Sequence, residues 1–305
     1  MTPPAPNHWV GSLSVAAGAI LIAGKGLFAK ALYDMGLSFH DVAAIRSVLA
    51  VPGFALLAWL YRGNISRSLD ISTHRRDLLL AAAIGLLCYY LGALANFYAL
   101  TIIAASVERP LLFAYPIFVV LITTVLHRRA PSAPVVLALL LTTAGVVLVT
   151  GAFNATLTAE QWTGMGWICF CSLTIAIYFL VSAELTQRLG SSFFTFIAMA
   201  SAAVGFLGHY QVVQGWQNID LSSAAWLTLA ALIVFSTVLP LLLMAEGVRR
   251  VGASRAALIS TLGPPATAIM AYYLTGEMLT LSQLAGIALV IIGVLSLELG
   301  RSRPY

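Results

Sequence analysis

The stretch "TIIAASVERPLLFAYPIFVVLITTV", Thr101 to Val125, is almost entirely apolar, yet it holds Glu108, Arg109 and Pro110 side by side. A helix needs roughly 20 apolar residues to cross a bilayer, and this run supplies them. An ionised residue at bilayer depth costs at least about 2.5 to 3.5 kcal/mol, so it persists where it lines water or meets a partner. The stretch therefore predicts a membrane helix with a polar feature near one end.

The composition extends this interpretation to the whole chain. Its 305 residues are 60% hydrophobic and only 9% charged, against roughly 25% charged in soluble domains. No polar stretch is long enough to fold outside the bilayer, and the first apolar run lacks a small-residue cleavage site, so we expect it to stay. The formal charge of +5 comes from short loops rather than from a basic, aromatic-rich surface, which argues against a nucleic-acid partner.

Ten apolar segments, numbered 1 to 10 in chain order, are long enough to span the membrane as helices. Short strands of alternating polarity, as in a membrane β-barrel, are not what the sequence shows. We therefore predict an all-α integral membrane protein with ten transmembrane helices in contact with lipid. The segments are approximately 9–33, 42–61, 78–100, 105–126, 135–151, 164–187, 193–213, 224–248, 253–275 and 281–299.

The distribution of arginine predicts the orientation of these helices. If the N-terminus is cytoplasmic, the inner loops and the tail hold eleven arginines, whereas the outer loops "MGLSFHD", "AFNATLTAEQW", "QGWQNIDLSS" and "GEMLT" hold none. Arginine is enriched on the cytoplasmic side of membrane proteins. We therefore expect both termini in the cytoplasm, an even number of helices, and a multi-pass protein of a bacterial-type inner membrane.

The two halves of the chain resemble each other. A shift of 148 residues places "AAS" at Ala104 on "GAS" at Gly252, Pro116 on Pro264, and Gly145 on Gly293. Landmarks that keep one offset indicate an internal repeat. We predict two five-helix repeats, residues 1–151 and 152–305, within one membrane unit. Because five is odd, the second copy would be inverted relative to the first.

Three stretches carry a family resemblance. They are Arg46 within "FHDVAAIRSVLA", "YALTIIAASVERPLLFAYPIFVVL" at 98–121, and "VRRVGASRAALISTLGPPATAIMAYYLTGEMLTLSQLAGIALVIIGV" at 248–294. With them the chain resembles the EamA-type drug/metabolite transporter superfamily, and most closely its bacterial amino-acid exporters, including the aromatic amino-acid type. The resemblance implies ten helices in two repeats and the export of amino acids or related metabolites. Other members exchange phosphorylated sugars or nucleotide sugars, which is the alternative that it leaves open.

Charged residues inside the segments are the first candidates for a substrate site. Lys25 lies between Gly24 and Gly26, which let a neighbouring helix or a ligand approach closely. It either lines an aqueous cavity or extends its ammonium toward the interface. Pro110 could begin the regular helix of segment 4, with Glu108 near the positive end of the helix dipole. Arg109 would then either hold a substrate carboxylate or pair with a nearby acid.

Polar and aromatic residues at helical spacing predict the walls of a cavity. Segment 3 aligns Gly85, Tyr89, Gly92, Asn96 and Ala99, and segment 6 aligns Trp167, Cys171, Thr174, Tyr178 and Ser182. Plain helix packing through small residues is the alternative for any single position. The substrate-binding candidates are Lys25, Tyr89, Asn96, Glu108, Arg109, Tyr115, Trp167, Thr174 and Tyr178.

Four prolines within three segments are candidate hinges. Each removes a backbone hydrogen bond and is expected to bend its helix. Such bends suit two repeats that rock about a central site, although static kinks are the alternative. The candidates are Pro116, Pro240, Pro264 and Pro265.

The sequence favours a carrier over an enzyme. None of the five histidines lies deep in a segment or pairs at metal-ligand spacing, so we expect no metal, no cofactor and no catalytic site, and an intramembrane lipid-modifying enzyme is disfavoured. Glu184 and Glu246 are expected to form interfacial ion pairs with Arg188 and Arg249. A carrier takes a small-molecule substrate, and the oligomeric state is left open.

Overall fold

Helices account for nearly all of the chain that the structure describes, because a backbone in lipid must satisfy its hydrogen bonds within each segment. The structure is a computed structural model that describes residues 8–61, 71–100, 111–150, 161–213, 215, 221–275 and 280–299. No strand occurs within those ranges. Five helices, in segments 2, 3, 6, 7 and 8, are long and apolar enough to cross a membrane, and shorter apolar helices lie in segments 1, 4, 5 and 10.

Each of the ten predicted segments contains at least one helix. Segments 1, 3, 8 and 9 are divided, and the remaining six each hold one α-helix. In chain order the elements are His8–Ala23 and Lys25–Asp34; Phe39–Leu60; Ile71–Ile84, a π-helical stretch Gly85–Gly92 and Ala93–Leu100; Tyr115–His127; Ala133–Thr150; Gln161–Leu189; Ser191–Val213; Ser223–Ile233, a π-helical stretch Val234–Val238 and Leu239–Val251; Ala253–Ile259, a 3-10 turn Ser260–Leu262 and Gly263–Thr275; and Leu281–Leu299.

Segment 4 departs from the expectation that a regular helix begins at Pro110. The α-helix begins at Tyr115, directly after a turn at Phe113 and Ala114. Pro116 explains the change, because proline disfavours helical geometry in the residue before it and is well tolerated at a helix start. Glu108, Arg109 and Pro110 lie outside the described residues.

The N-terminal end of segment 2 is closed by a capping box. The Ser38 hydroxyl accepts a hydrogen bond from the Asp41 amide, and the Asp41 carboxylate accepts one from the Ser38 amide at 2.9 Å. The same carboxylate accepts the Tyr210 hydroxyl of segment 7 at 2.8 Å. Asp41 therefore satisfies the end of one helix and ties it to another.

Glycine lets pairs of segments approach closely. Segments 5 and 10 meet at Gly145 and Gly286, where a Cβ added to either residue would lie 2.7 Å from the carbonyl oxygen of the other. A Cβ at Gly85 in segment 3 would lie 2.1 Å from the Ala198 carbonyl of segment 7. Small residues are how membrane helices gain packing contacts, since lipid offers no hydrophobic drive for helix association.

The contacts between segments are symmetric with respect to the two halves. Segment 1 packs on segment 8, and its counterpart, segment 6, packs on segment 3. Segments 2 and 7 pack on each other, as do segments 5 and 10, so each of these pairs joins a segment to its own counterpart. A two-fold relation between repeats requires this pattern, because it exchanges the partners of every contact.

The close approach of segments 5 and 10 predicts that Gly145→Ala is destabilising. The new methyl group would meet the Gly286 carbonyl at 2.7 Å and the Val290 amide at 2.9 Å, so the backbones must separate. We expect a loss of about 1–3 kcal/mol, measured as a lower thermal unfolding midpoint in detergent. Gly166→Ala is the matched control, because nothing lies within 4 Å of its new methyl group; equal midpoints for the two variants would contradict the packing.

Candidate functional site

Four segments besides segment 3, which holds the π-helical stretch Gly85–Gly92, lose regular α-helical geometry in their interior. The irregular stretches are Gly24 in segment 1, Phe113–Ala114 in segment 4, Val234–Val238 in segment 8 and Ser260–Leu262 in segment 9. Together with the residues that flank them, we call these stretches the interruption cluster. An irregular backbone is tolerated at membrane depth only where it is buried in protein or lines a cavity.

The four interruptions lie against one another. The Ser236 hydroxyl of segment 8 donates to the Leu21 carbonyl of segment 1 at 3.2 Å. A Cβ at Gly263 in segment 9 would lie 3.3 Å from the Phe113 ring of segment 4 and 3.9 Å from the Ala19 carbonyl of segment 1. The cluster is therefore one place in the protein, built by both halves of the chain.

The interruptions also obey the internal repeat. Moved by the same 148 residues, the π-helical stretch Gly85–Gly92 of segment 3 covers the π-helical stretch Val234–Val238 of segment 8. The turn Phe113–Ala114 of segment 4 falls on the 3-10 turn Ser260–Leu262 of segment 9. Two independent sequences with the same local defect at the same position indicate that the defect belongs to the architecture.

The hinge candidates lie where helices resume rather than in the middle of regular ones. Pro116 and Pro240 occupy the first turn of their helices, and Pro264 and Pro265 follow Gly263 at the start of the next. Each proline lacks the N–H that would bond the carbonyl four residues earlier. The irregular stretch before each proline contains or adjoins that carbonyl. The missing N–H of proline therefore explains the irregular stretches of segments 4, 8 and 9.

Hydroxyl groups from other helices satisfy carbonyl oxygens at the breaks. Pro116 cannot donate to the Leu112 carbonyl, which accepts the Ser172 hydroxyl of segment 6 at 3.2 Å instead. The Leu21 carbonyl, just before the break at Gly24, accepts Ser236. A buried carbonyl left without a donor costs about 1–3 kcal/mol, so Ser172 stabilises the broken geometry at Leu112. The Leu21 carbonyl also accepts the Gly24 amide at 3.3 Å, so Ser236 adds a second hydrogen bond there.

Tyr115 connects the interruptions of segments 4 and 9. Its hydroxyl lies 2.5 Å from the Ser260 hydroxyl, which itself donates to the Ala257 carbonyl at 2.8 Å. Because Ser260 has a single proton to donate, Tyr115 is the donor in the pair. The Tyr115 ring stacks on Phe179 of segment 6 with centroids 5.4 Å apart. This substrate-site candidate thus joins three segments from both halves.

Tyr89 and Tyr178 form a second contact between the halves. Their rings meet edge to face with centroids 5.0 Å apart. Both hydroxyl oxygens are buried, and within the part of the chain that the structure describes neither has a hydrogen-bond partner beyond the other. Two hydroxyls that have only each other retain donor and acceptor capacity, which suits water or a polar group of a ligand.

The remaining candidates occupy three different environments. Thr174 is buried and donates to the Cys171 carbonyl at 2.7 Å. It also packs closely on segment 3, since a Cβ added to Gly92 would lie 2.5 Å from the Thr174 hydroxyl. Asn96 and Lys25 are partly buried, and Lys25 begins the helix that follows the break at Gly24. Glu108 and Arg109 fall outside the described ranges.

Trp167 is separated from the other residues of its predicted face. Cys171, Thr174, Tyr178 and Ser182 are buried, whereas Trp167 is 45% exposed. Its ring packs edge to face against Tyr98, with centroids 5.8 Å apart. The two rings border an open apolar groove of about 410 Å³. The next residue, Ile168, is fully buried in a cluster with Ala99 of segment 3, so at this level segment 6 turns the side next to Trp167 toward the core.

Ion pairs tie the ends of segments 3, 6, 7 and 8. The predicted pairs Glu184–Arg188 and Glu246–Arg249 are confirmed. Glu246 also accepts Arg250 at 2.5 Å and the Ser191 hydroxyl at 2.6 Å, and Arg188 reaches Asp77 of segment 3 at 3.1 Å. These carboxylates are already engaged within the protein.

Sequence reasoning missed Ser172, Ser236 and Ser260. A single serine in an apolar run has no local signature, because its role depends on which carbonyl another helix brings near it. A usable signal did exist for Leu112, since every proline in a helix frees the carbonyl four residues before it. The identity of the hydroxyl that pairs with the freed carbonyl required the tertiary structure.

Comparisons with known proteins agree with this architecture. The model of the EamA-like transporter family matches the chain twice, over residues 9–151 and 162–298. An uncharacterized transporter of Bacillus subtilis, YcbK, is 31% identical over 281 residues, which cover 90% of this chain and 88% of that protein. An uncharacterized transporter of Archaeoglobus fulgidus is 26% identical over 185 residues, which cover 61% and 64%.

A solved crystal structure has the same fold. It superposes with a TM-score of 0.77 and covers 95% of this chain and 96% of its own, at 16% sequence identity. At that identity the likeness concerns the fold alone.

The Ser236 contact predicts the effect of Ser236→Ala. Loss of the hydroxyl removes one of two donors to the Leu21 carbonyl, which also accepts the Gly24 amide at 3.3 Å, so we expect a loss of about 0.5–1.5 kcal/mol. Thermal unfolding in detergent measures it. Ser14→Ala is the control, because the Ser14 hydroxyl bonds a carbonyl of its own helix at 2.7 Å. Equal midpoints in the two variants would show that Ser236 does not support the break.

Proposed function

The chain belongs to the EamA-like transporter family, and we propose that it exports amino acids or related small metabolites by alternating access between two inverted repeats. It is a membrane transporter with several apolar helices, and it is a multi-pass protein of the inner membrane. The observation that carries the proposal is the interruption cluster, where both halves bring broken helices together. Secondary transporters bind their substrates at such discontinuous helices, at the interface between repeats.

The inverted arrangement is supported by three observations. The family model matches each half separately, the contacts between segments are exchanged by a two-fold relation, and five segments per half would place successive copies on opposite sides of the membrane. Ten spans with both termini in the cytoplasm also agree with the distribution of arginine between loops. Residues 1–151 and 152–305 are the repeats of this proposal.

The proposed substrate site lies between the interruption cluster and the Tyr89–Tyr178 pair. It would present backbone groups at the breaks, the hydroxyls of Tyr89 and Tyr178, and Lys25 at the start of a half-helix. Rings of Tyr115 and Phe179 supply apolar contact. A small solute with an apolar part and hydrogen-bonding groups fits these features, as an amino acid does.

The proposed motion uses the same breaks. A helix that lacks its regular hydrogen bonds at one level bends there at lower cost than an intact helix. Matching breaks before Pro116 and Pro264 in segments 4 and 9, and before Pro240 in segment 8, would let one repeat rock against the other about the site. No covalent step is needed, so the proposal includes no catalytic residue.

Solute flux into proteoliposomes tests the function. We expect labelled amino acids to enter liposomes that contain the purified protein at least tenfold faster than they enter protein-free liposomes. Glucose 6-phosphate and a nucleotide sugar are tested in parallel. Flux of a sugar phosphate without flux of any amino acid would favour the exchanger alternative, and no flux above protein-free liposomes for any solute would remove the transport proposal.

Lys25→Met tests the proposed site. Methionine keeps the length of the side chain and removes the charge, so we expect the fold to persist and the flux to fall at least tenfold because the solute loses an ionic contact. Arg76→Gln, which removes an exposed charge, is the control. Unchanged flux and unchanged substrate affinity in Lys25→Met would mean that the Lys25 ammonium extends to the membrane interface and does not bind the solute.

A further inference from the structure

Arg46 places a permanent charge inside segment 2. The candidate span runs from His40 to Leu60, and Arg46 lies eight residues after the Ser38 cap, about 12 Å along the helix axis. An arginine at such a depth is unfavourable in lipid and marks a functional site by default. Guanidinium stays protonated in proteins, so the charge cannot be removed by losing a proton.

Three arginines near the ends of segments 6 and 8 have acids beside them, and Arg46 does not. Arg249 and Arg250 share Glu246, and Arg188 binds Asp77 and Glu184. Within the described ranges, no carboxylate lies within 4.0 Å of the Arg46 guanidinium, and no hydrogen bond holds it. The ionisable group beside Arg46 in the described chain is Tyr33, whose neutral hydroxyl supplies no counter-charge.

Asp41 does not compensate for this charge, although it belongs to the same helix. Five residues separate it from Arg46, so the two side chains point about 140° apart around the axis. The Asp41 carboxylate is occupied by the Ser38 amide and hydroxyl and by the Tyr210 hydroxyl, at 2.9, 2.6 and 2.8 Å.

The surroundings of Arg46 show what faces its charge. Protein atoms surround the guanidinium, and the residue as a whole is partly buried. Part of the side chain is therefore accessible to another molecule. The residues on its core side, Ala43, Ser47 and Ala50, are buried and small.

We propose that Arg46 binds the anionic group, a carboxylate or a phosphate, of the solute that passes through this protein. The inference rests on the transport function proposed above and adds an ionic anchor to its pathway. The planar guanidinium presents paired N–H donors that match the two oxygens of a carboxylate or phosphate. The bound anion supplies the counter-charge that the described chain does not, and it leaves with the solute.

Thermal unfolding of the full-length protein in detergent tests the anchor without any transport measurement. The proteins are wild type, R46Q, R46M and the control R75Q, which removes an exposed charge. Each is unfolded in sodium chloride, sodium acetate and sodium phosphate at equal ionic strength and pH. Acetate and inorganic phosphate are the probes of the carboxylate and phosphate classes, and chloride is the reference.

The expected result has two parts. In chloride, R46Q and R46M unfold at or above the wild-type temperature, because they lose an interior charge that has no acid beside it. Acetate or phosphate raises the midpoint of wild type and R75Q by several degrees over chloride, because a ligand that binds the folded state stabilises it. The anion-dependent rise is absent in R46Q and R46M. A rise with only one anion identifies the class of the group.

Three outcomes would overturn the proposal. These are no anion-dependent rise in wild type, an equal rise in R46Q and R46M, and failure of both variants to fold, which would make Arg46 a structural residue. Failure of the transport proposal is distinguishable, because it would appear as absent flux with an intact response to anions. Failure of the anchor alone would leave flux with no dependence on position 46.

Discussion

The requirement that every backbone N–H and C=O in the bilayer find a partner governs this structure. Regular helices meet it within each segment, which is why nearly all of the described chain is helical. At Gly24, Phe113–Ala114, Val234–Val238 and Ser260–Leu262 the regular pattern fails. These stretches can exist only inside the protein, so they must meet one another, and the place where they meet becomes the polar interior of an otherwise apolar molecule.

Close packing of helices makes the shared interior possible. Three pairs of segments approach each other at glycines: 1 and 8 at Gly18, 3 and 6 at Gly92, and 5 and 10 at Gly145. A Cβ added to any of these glycines would collide with the neighbouring segment. Short distances between backbones bring a serine of one helix within reach of a carbonyl of the next. Ser172 can therefore satisfy the carbonyl that Pro116 leaves free, and Ser236 adds a second hydrogen bond to the Leu21 carbonyl beside the break at Gly24. Packing and polar satisfaction depend on each other in this fold.

Charged groups also need partners inside the protein, and most of them, but not all, have one. The carboxylates of Asp41, Asp77, Glu184 and Glu246 are all engaged with donors at the ends of helices, where they hold segments together. The charge of Arg46 has no such partner in the described chain, and the buried hydroxyls of Tyr89 and Tyr178 have no hydrogen-bond partner there beyond each other. A transporter gains from groups of this kind, because a polar group that the protein already satisfies has little to offer a solute.

Much of the fold was determined by the sequence alone, since helices in lipid are decided by local composition and length. The apolar segments, the offset of 148 residues and the ion pairs Glu184–Arg188 and Glu246–Arg249 were all readable, as was the membership in the EamA-like family. The positions of the prolines were also readable, although their effect was not: Pro116 begins a helix after a turn instead of bending one. Only the tertiary structure decided that Trp167 is exposed while Thr174 and Tyr178 on the same helix are buried, and that Ser172, Ser236 and Ser260 serve the breaks. Those outcomes depend on which helix lies opposite each residue. The packing of residues far apart in the chain determines which helices are neighbours.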